Sequence, residues 1–238
     1  MDTPPQISTS RAWFRSSSQS FLCMADDQII GSIVRESRST ILPSQNDAWI
    51  ESIKILKNAL ATINGYIFLE FNIPRMGQRA DVVLIVNGII IIIEFKIGCT
   101  EYLRSDMDQV SDYATDIKYF HEGSHQAVVV PILVATHANE GRIILGQHPT
   151  IKDLYRTICI NQSQLLPAIE TICRELSGYI IDPIVWEATR YNPTPTIIEA
   201  ACELYSKHHV IEISRNDAGA YNLGMTTDRI VDIIRSEE

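Results

Sequence analysis

At 238 residues, with 45% of them hydrophobic, the chain is long and apolar enough to bury a core, as one domain with additions or as two small ones. Its longest apolar stretch, residues 84–93, is broken by Asn87-Gly88 and falls short of a membrane span, and Asp2, Pro4 and Pro5 stand where a signal peptide needs basic and apolar residues. A net charge of −9 argues against a protein that grips nucleic acid unaided, since that affinity rests on Lys and Arg against phosphates.

Residues 1–20, with six serines and two prolines, read as a partly ordered arm. Residues 26–36 read as a short helix capped by Asp26 or Asp27. Asn46-Asp47 can cap a longer helix, in which Ile53, Leu56, Leu60 and Ile63 recur at helical spacing and Gly65 ends the run. Residues 66–73 then form a strand, and Pro74-Arg75-Met76-Gly77 a turn. Two β-branched runs, 79–86 and 89–96, flank Asn87-Gly88, the strongest short-range hairpin signal, because both turn positions need positive φ. Residues 105–122 follow as a helix with Val110, Ala114 and Ile117 inward. Residues 127–135 suit a buried strand, although Pro131 objects to a central place. Beyond His137 the pattern gives a strand near 157–160, a helix near 164–176, Trp186, a helix at 196–207, a strand at 209–214 and a helix at 226–236. That final helix runs to the last residue with no stop signal, which suits a chain that once continued.

The hairpin carries the chemistry. With a two-residue loop, paired residue numbers sum to 175, so Asp81 lies opposite Glu94 and Arg79 opposite Lys96. The 81/94 pair is of the closer, non-hydrogen-bonded kind, with Cα atoms about 4.5 Å apart. Two facing carboxylates repel unless a cation lies between them, and a divalent metal held by oxygen ligands answers that need. Lys96 shares the face of Glu94, because side chains alternate with period two. The rival reading is a structural pair bridged by Arg79 and Lys96.

The constellation Asp81 … Glu94-Phe95-Lys96 resembles the PD-(D/E)xK nuclease superfamily, although Ala80 stands where that motif's Pro would be. The element order αβββαβ over residues 46–136 is that of the superfamily's restriction-endonuclease-like core. Gln109-Val110-Ser111-Asp112-Tyr113 matches the Gln-x-x-x-Tyr element of RecB-type members, its ends one turn apart on a helix face. The wider run, through Glu70, Phe120-His121, Trp186 and Tyr191-Asn192-Pro193, is similar to the N-terminal region of bacterial nuclease–helicase proteins of the Schlafen group three-like kind.

The resemblance implies an α/β fold: a mixed central sheet flanked by helices, with α+β additions at both ends. It divides the chain into an arm and short helix (1–45), a nuclease core (46–136) and a C-terminal extension (137–238) leading toward a motor domain. It implies a magnesium- (or manganese-) dependent nuclease acting on DNA, working with a helicase or ATPase domain in cis or in trans, in phage defence or repair. Asp81, Glu94, Lys96 and Gln109 would be catalytic. Asp81, Glu94, the Phe95 carbonyl and Glu70 would hold the metal, and Arg79 and Tyr113 would contact nucleic acid. Glu51 is a second candidate for the additional acid, although its helix position lies nearly opposite Ile53 and Leu60. No Gly-x4-Gly-Lys-Ser/Thr loop is present, so the chain carries no such ATP site. Five cysteines without a Cys-x-x-Cys pair read as reduced, cytoplasmic thiols and argue against the iron–sulfur cluster of some RecB-type nucleases. His121 and His125 have the spacing of a zinc-binding helix, but Gly123 and Ser124 mark a helix end between them. The alternative function is a non-catalytic module that keeps the fold for nucleic-acid docking or protein assembly.

Overall fold

Five isoleucines in a row, Ile89–Ile93, mark the strand around which the molecule is built. All are fully buried. A strand apolar at every position must be covered on both faces, and a computed structural model shows that it is. The structure describes residues 10–37, 42–73 and 78–192, all within the compact unit that closes at Asn192. In chain order the elements are β1 (Ala12–Ser17), α1 (Ser18–Cys23), α2 (Asp26–Glu36), α3 (Pro43–Leu60), β2 (Tyr66–Ile73), β3 (Gln78–Val86), β4 (Ile89–Lys96), α4 (Arg104–Phe120), β5 (Val128–Ala135), β6 (Ile158–Ile160), α5 (Leu165–Glu175) and α6 (Pro183–Ala188).

The strands form one six-stranded mixed sheet in sequence order. β1 to β4 make an antiparallel meander, and β5 and β6 add in parallel. The fold is therefore α/β, with helices on both faces. Ile89, Ile91 and Ile93 pack into a core shared with Phe21, Ile29, Ile53, Leu56 and Ile169, from α1, α2, α3 and α5. Ile90 and Ile92 pack on the other face with Val110, Ala114 and Ile117 of α4 and with Trp186 of α6. The inward positions expected for the 105–122 helix are all buried, together with Tyr113, Asp116 and Lys118.

Several expectations change. Residues 12–17 are not an arm: they form the edge strand β1, paired to β2 from Ala12↔Phe71 to Ser17↔Tyr66. Glu187 holds this strand, accepting from the Arg11 backbone N–H at 3.0 Å and pairing with Arg15. The helix expected from Asn46-Asp47 begins a turn earlier, with Pro43 in its first turn, where a missing N–H costs nothing. Neither Asp26 nor Asp27 caps α2; the N-cap is Ala25, and Asp26 instead receives Lys57 Nζ at 2.6 Å. Pro131 does lie inside the sheet, opposite Ile92 of β4. The outer side of β5 bonds Asp153 and Tyr155 through Val129, and the β6 ladder resumes only at Ile132↔Ile158. Pro131 falls in the gap between, where its missing N–H deprives no partner. The sheet thus takes strands from both sides of residues 46–136. The turn at 74–77 and the elements expected at 196–207, 209–214 and 226–236 lie outside the described residues. Among the described residues no helix is long and apolar enough to cross a membrane.

Candidate functional site

The hairpin turns as its sequence dictates. Asn87 and Gly88 have φ of 50° and 74°, and the ladder runs from Val86↔Ile89 to Val82↔Ile93 in the expected register. It stops there. The next pair outward, 81/94, is absent from the ladder. Phe95, which regular pairing would bond to the Ala80 carbonyl, donates its N–H to Asp81 Oδ2 at 2.8 Å. The Asp81 carboxylate has entered the seam between β3 and β4.

The cause is a slip of side-chain alternation that β2 and β3 share. Phe68 and Phe71 lie in the same core layer although three residues apart, and so do Ala80 and Val83. Strict alternation would place each pair on opposite faces. The slips stand opposite one another, so the register Leu69↔Val82 and Phe71↔Ala80 survives while Glu70 and Asp81 leave the ladder. Glu70 sits at the slip with φ of 53°, a conformation that costs a non-glycine residue about 1–3 kcal/mol and that concentrates at functional sites.

The two slipped acids join Glu94 of β4 on one cleft of about 220 Å³, which Glu70, Asp81, Glu94 and Phe95 line together with α3. Glu94 is buried, and its Oε1 accepts from Lys96 Nζ at 3.1 Å and from Gln109 Nε2 at 3.1 Å. Its Oε2 is buried with no hydrogen-bond partner. Lys96 also donates to Gln109 Oε1 at 2.8 Å and lies 3.7 Å from Asp106. Gln109 donates to the Tyr113 hydroxyl at 2.7 Å, which donates onward to Gln78 Oε1 at 2.6 Å. The Gln-x-x-x-Tyr pair is thus wired to the Glu-x-Lys pair, and Tyr113 is buried rather than presented to a ligand.

Glu70 is occupied otherwise. Its Oε1 accepts from Trp49 Nε1 at 2.8 Å and its Oε2 from Arg79 Nε at 3.1 Å. Arg79, which strand pairing placed beside Lys96, instead pairs with Glu70 and lies 3.8 Å over the Trp13 ring. Of the two cations that the structural-pair reading sets between Asp81 and Glu94, Lys96 pairs with Glu94 and Arg79 goes to Glu70 instead. Glu51 does not line the cleft. His121 and His125 do not converge: α4 ends at Phe120, His121 is buried against Trp186, and His125 meets the Asn192 carbonyl.

Burial dominates the electrostatics of the two acids. Burial, then the charges of Glu94 and Glu70, hold Asp81 well above the ordinary carboxylate range, against the Phe95 N–H and Lys96. Burial also raises Glu94, joined by the charge of Glu70 and opposed by the charge and hydrogen bond of Lys96 and by the Asp81 backbone N–H. Burial acts to lower Lys96, but Glu94, Asp106 and Asp81 outweigh it and raise the ammonium. The ammonium is thus charged at neutral pH, while the two carboxylates are under-compensated.

Trp49, Gln78 and Asp106 were not evident as site residues. Asp106 lies three residues before Gln109 on one helix, a spacing that could have revealed it. Trp49 and Gln78 reach the site only through tertiary packing. Among the described residues no three His, Cys, Asp or Glu side chains stand close enough to hold an ion by themselves. Compared with protein-family models, with curated proteins and with solved structures, the chain has no match.

Proposed function

We propose that this chain is a metal-dependent nuclease of the restriction-endonuclease-like, PD-(D/E)xK kind, hydrolysing phosphodiester bonds in DNA. One observation carries the reading: Glu94 is buried beside Asp81, with Lys96 and Gln109 fixing its first carboxylate oxygen and no side chain hydrogen-bonded to its second. An unsatisfied buried carboxylate oxygen is costly unless something cationic or hydrogen-bonding meets it. The donors suit a hard ion: Asp81, Glu94 and the Phe95 carbonyl would hold magnesium or manganese, with water filling the remaining positions. Glu70 would join only by leaving Trp49 and Arg79. Such an ion supplies Lewis acidity that acidifies water and offsets phosphate charge.

The side chains supply the rest. Hydrolysis joins a water oxygen to phosphorus, breaks a P–O ester bond and delivers a proton to the departing oxygen. Lys96 brings a fixed positive charge to the phosphoryl oxygens, where charge grows in the transition state. Gln109, Tyr113 and Gln78 hold that ammonium in line, so little reorganisation remains at the moment of reaction. Arg79, partly exposed at the rim, can meet the flanking phosphate. The same reading pairs the chain with a helicase or ATPase module, in cis or in trans, that delivers the strand, and so with phage defence or repair.

The test is cleavage of single-stranded, duplex and branched DNA, and of RNA, by the purified chain with manganese at low salt. Cleavage is expected, falling steeply with salt. Lys96→Ala should abolish it while manganese affinity persists, because Lys96 ligates nothing. If every substrate stays intact, the nuclease reading fails. The second reading, a docking or assembly module that keeps the fold, then takes its place; the net charge of −9 favours it.

A further inference from the structure

The cleft that ends at Glu94 is larger than a metal site needs. Its roof is one stripe of α3, residues 45, 48, 49, 52, 53 and 56, at the spacing that puts side chains on a common helix face. Toward its outer end that stripe carries Ala48 and Ser52, two small residues, and Gln45. Leu56, Ile33 and Val82, all buried, also line it, so part of the wall is apolar. A helix covering a sheet ordinarily fills such a layer, since a void there forfeits dispersion contacts on its lining. Here small side chains leave about 220 Å³ open directly beside the two carboxylates. That is below the roughly 300–1,000 Å³ of sites that take drug-sized ligands, and so fits one small molecule or ring system.

The lining selects the occupant. No Lys, Arg or His lines the cleft, so nothing in the wall would hold a phosphate. The cations nearest the acids, Lys96 and Arg79, are fixed outside it by Glu94 and by Glu70. Apolar walls, the Trp49 indole, an amide and a hydroxyl at Gln45 and Ser52, and the acids Glu70, Asp81 and Glu94, which can accept from ring and exocyclic N–H groups, are the surroundings of a flat heterocycle with polar edges. We propose that the cleft binds the base of one unpaired nucleotide and leaves its phosphate at the mouth, toward Lys96 and Arg79. A base held in a duplex cannot enter without leaving its stack, so the preferred substrate is a single strand or an extruded nucleotide. The base-binding half stands alone; the substrate preference rests on the nuclease reading above.

Uncharged nucleosides separate the two halves, because they carry no phosphate and need no metal. Thymidine and deoxyadenosine are titrated into the whole chain without divalent ions, followed by tryptophan fluorescence and calorimetry. Saturable binding is expected. Ala48→Leu fills the cleft and should weaken it about tenfold or more, the scale set by losing the contacts of one base. Ser52→Ala removes a hydroxyl without adding bulk and should weaken binding by severalfold. No saturable binding by the unaltered chain overturns the proposal, as does unchanged affinity in an Ala48→Leu protein that melts cooperatively. Should Ala48→Leu fail to fold, unchanged affinity in Ser52→Ala overturns it. Manganese-dependent cleavage is then compared on single-stranded and duplex oligonucleotides of one sequence, with about tenfold preference for the single strand expected. Equal rates remove the substrate preference. Nucleoside binding with every polynucleotide left intact keeps the cleft and removes the nuclease; cleavage without nucleoside binding does the reverse.

Discussion

Moving from about pH 7.5 to about pH 5 should cost this protein about 2 kcal/mol of stability through one side chain, His121. His121 is fully buried, packed 4.4 Å from the Trp186 ring and bordered by Phe71 and Tyr191. Among the described residues its ring nitrogens meet the hydroxyls of Ser124 and Thr189. Burial, with lesser contributions from the Arg11 and His125 charges, lowers its pKa from 6.5 to about 3. A histidine kept neutral in the fold stabilises it fully above the unfolded-state pKa, and that contribution is lost as pH falls toward the folded-state pKa. The unfolded chain takes up the proton and the folded chain does not, so each pH unit below about 6.5 removes about 1.4 kcal/mol. Any folded-state value below about 4 gives nearly the same loss by about pH 5. The assay is urea unfolding at both pH values for the unaltered chain and for His121→Gln, a side chain of similar size that does not titrate here. The common carboxylates cancel in the comparison, so the variant should lose about 2 kcal/mol less between the two conditions. Equal losses in the two proteins, or a His121 ring resonance that titrates near pH 6.5, would refute the reasoning.

Asp81→Asn keeps an oxygen for the Phe95 N–H and removes a charge that burial disfavours. Because folding raises the Asp81 pKa, metal-free stability falls as pH rises from the unfolded carboxylate range through that raised value, and the variant should flatten this fall. Thermal melts across pH 4–8 check the flattening, and manganese calorimetry should show binding lost. Tyr113→Phe removes the hydroxyl that links Gln109 to Gln78, and should slow cleavage about tenfold or more with manganese affinity unchanged, as single-turnover rates would show. At Gly88 an added Cβ would lie 2.1 Å from the Tyr179 carbonyl at a φ of 74°. Gly88→Ala should therefore lower stability by more than about 1 kcal/mol in denaturant unfolding, through both strain and displacement of the 178–179 backbone.

Features that depend on near neighbours in the chain were readable from the residues alone. Asn87-Gly88 set the hairpin and its register, because few residues accept positive φ twice in succession. The isoleucine run announced a strand covered on both faces. Period two put Lys96 beside Glu94, and period 3.6 put Gln109 and Tyr113 on one face of α4. The four residues that now share a hydrogen-bonded network were therefore legible in advance. Tertiary structure decided what depends on partners distant in the chain. Alternation carried strictly along β3 places Asp81 in the ladder opposite Glu94; the slip it shares with Glu70 of β2 sends its carboxylate to the Phe95 N–H instead. No periodicity within one strand reveals a slip that two strands must make together. Trp49 taking Glu70, Arg79 lying over Trp13, and a serine-rich segment becoming an edge strand tied to Glu187 are all long-range pairings. Their partners lie 21 to 176 residues apart, and local propensity carries no information across those separations.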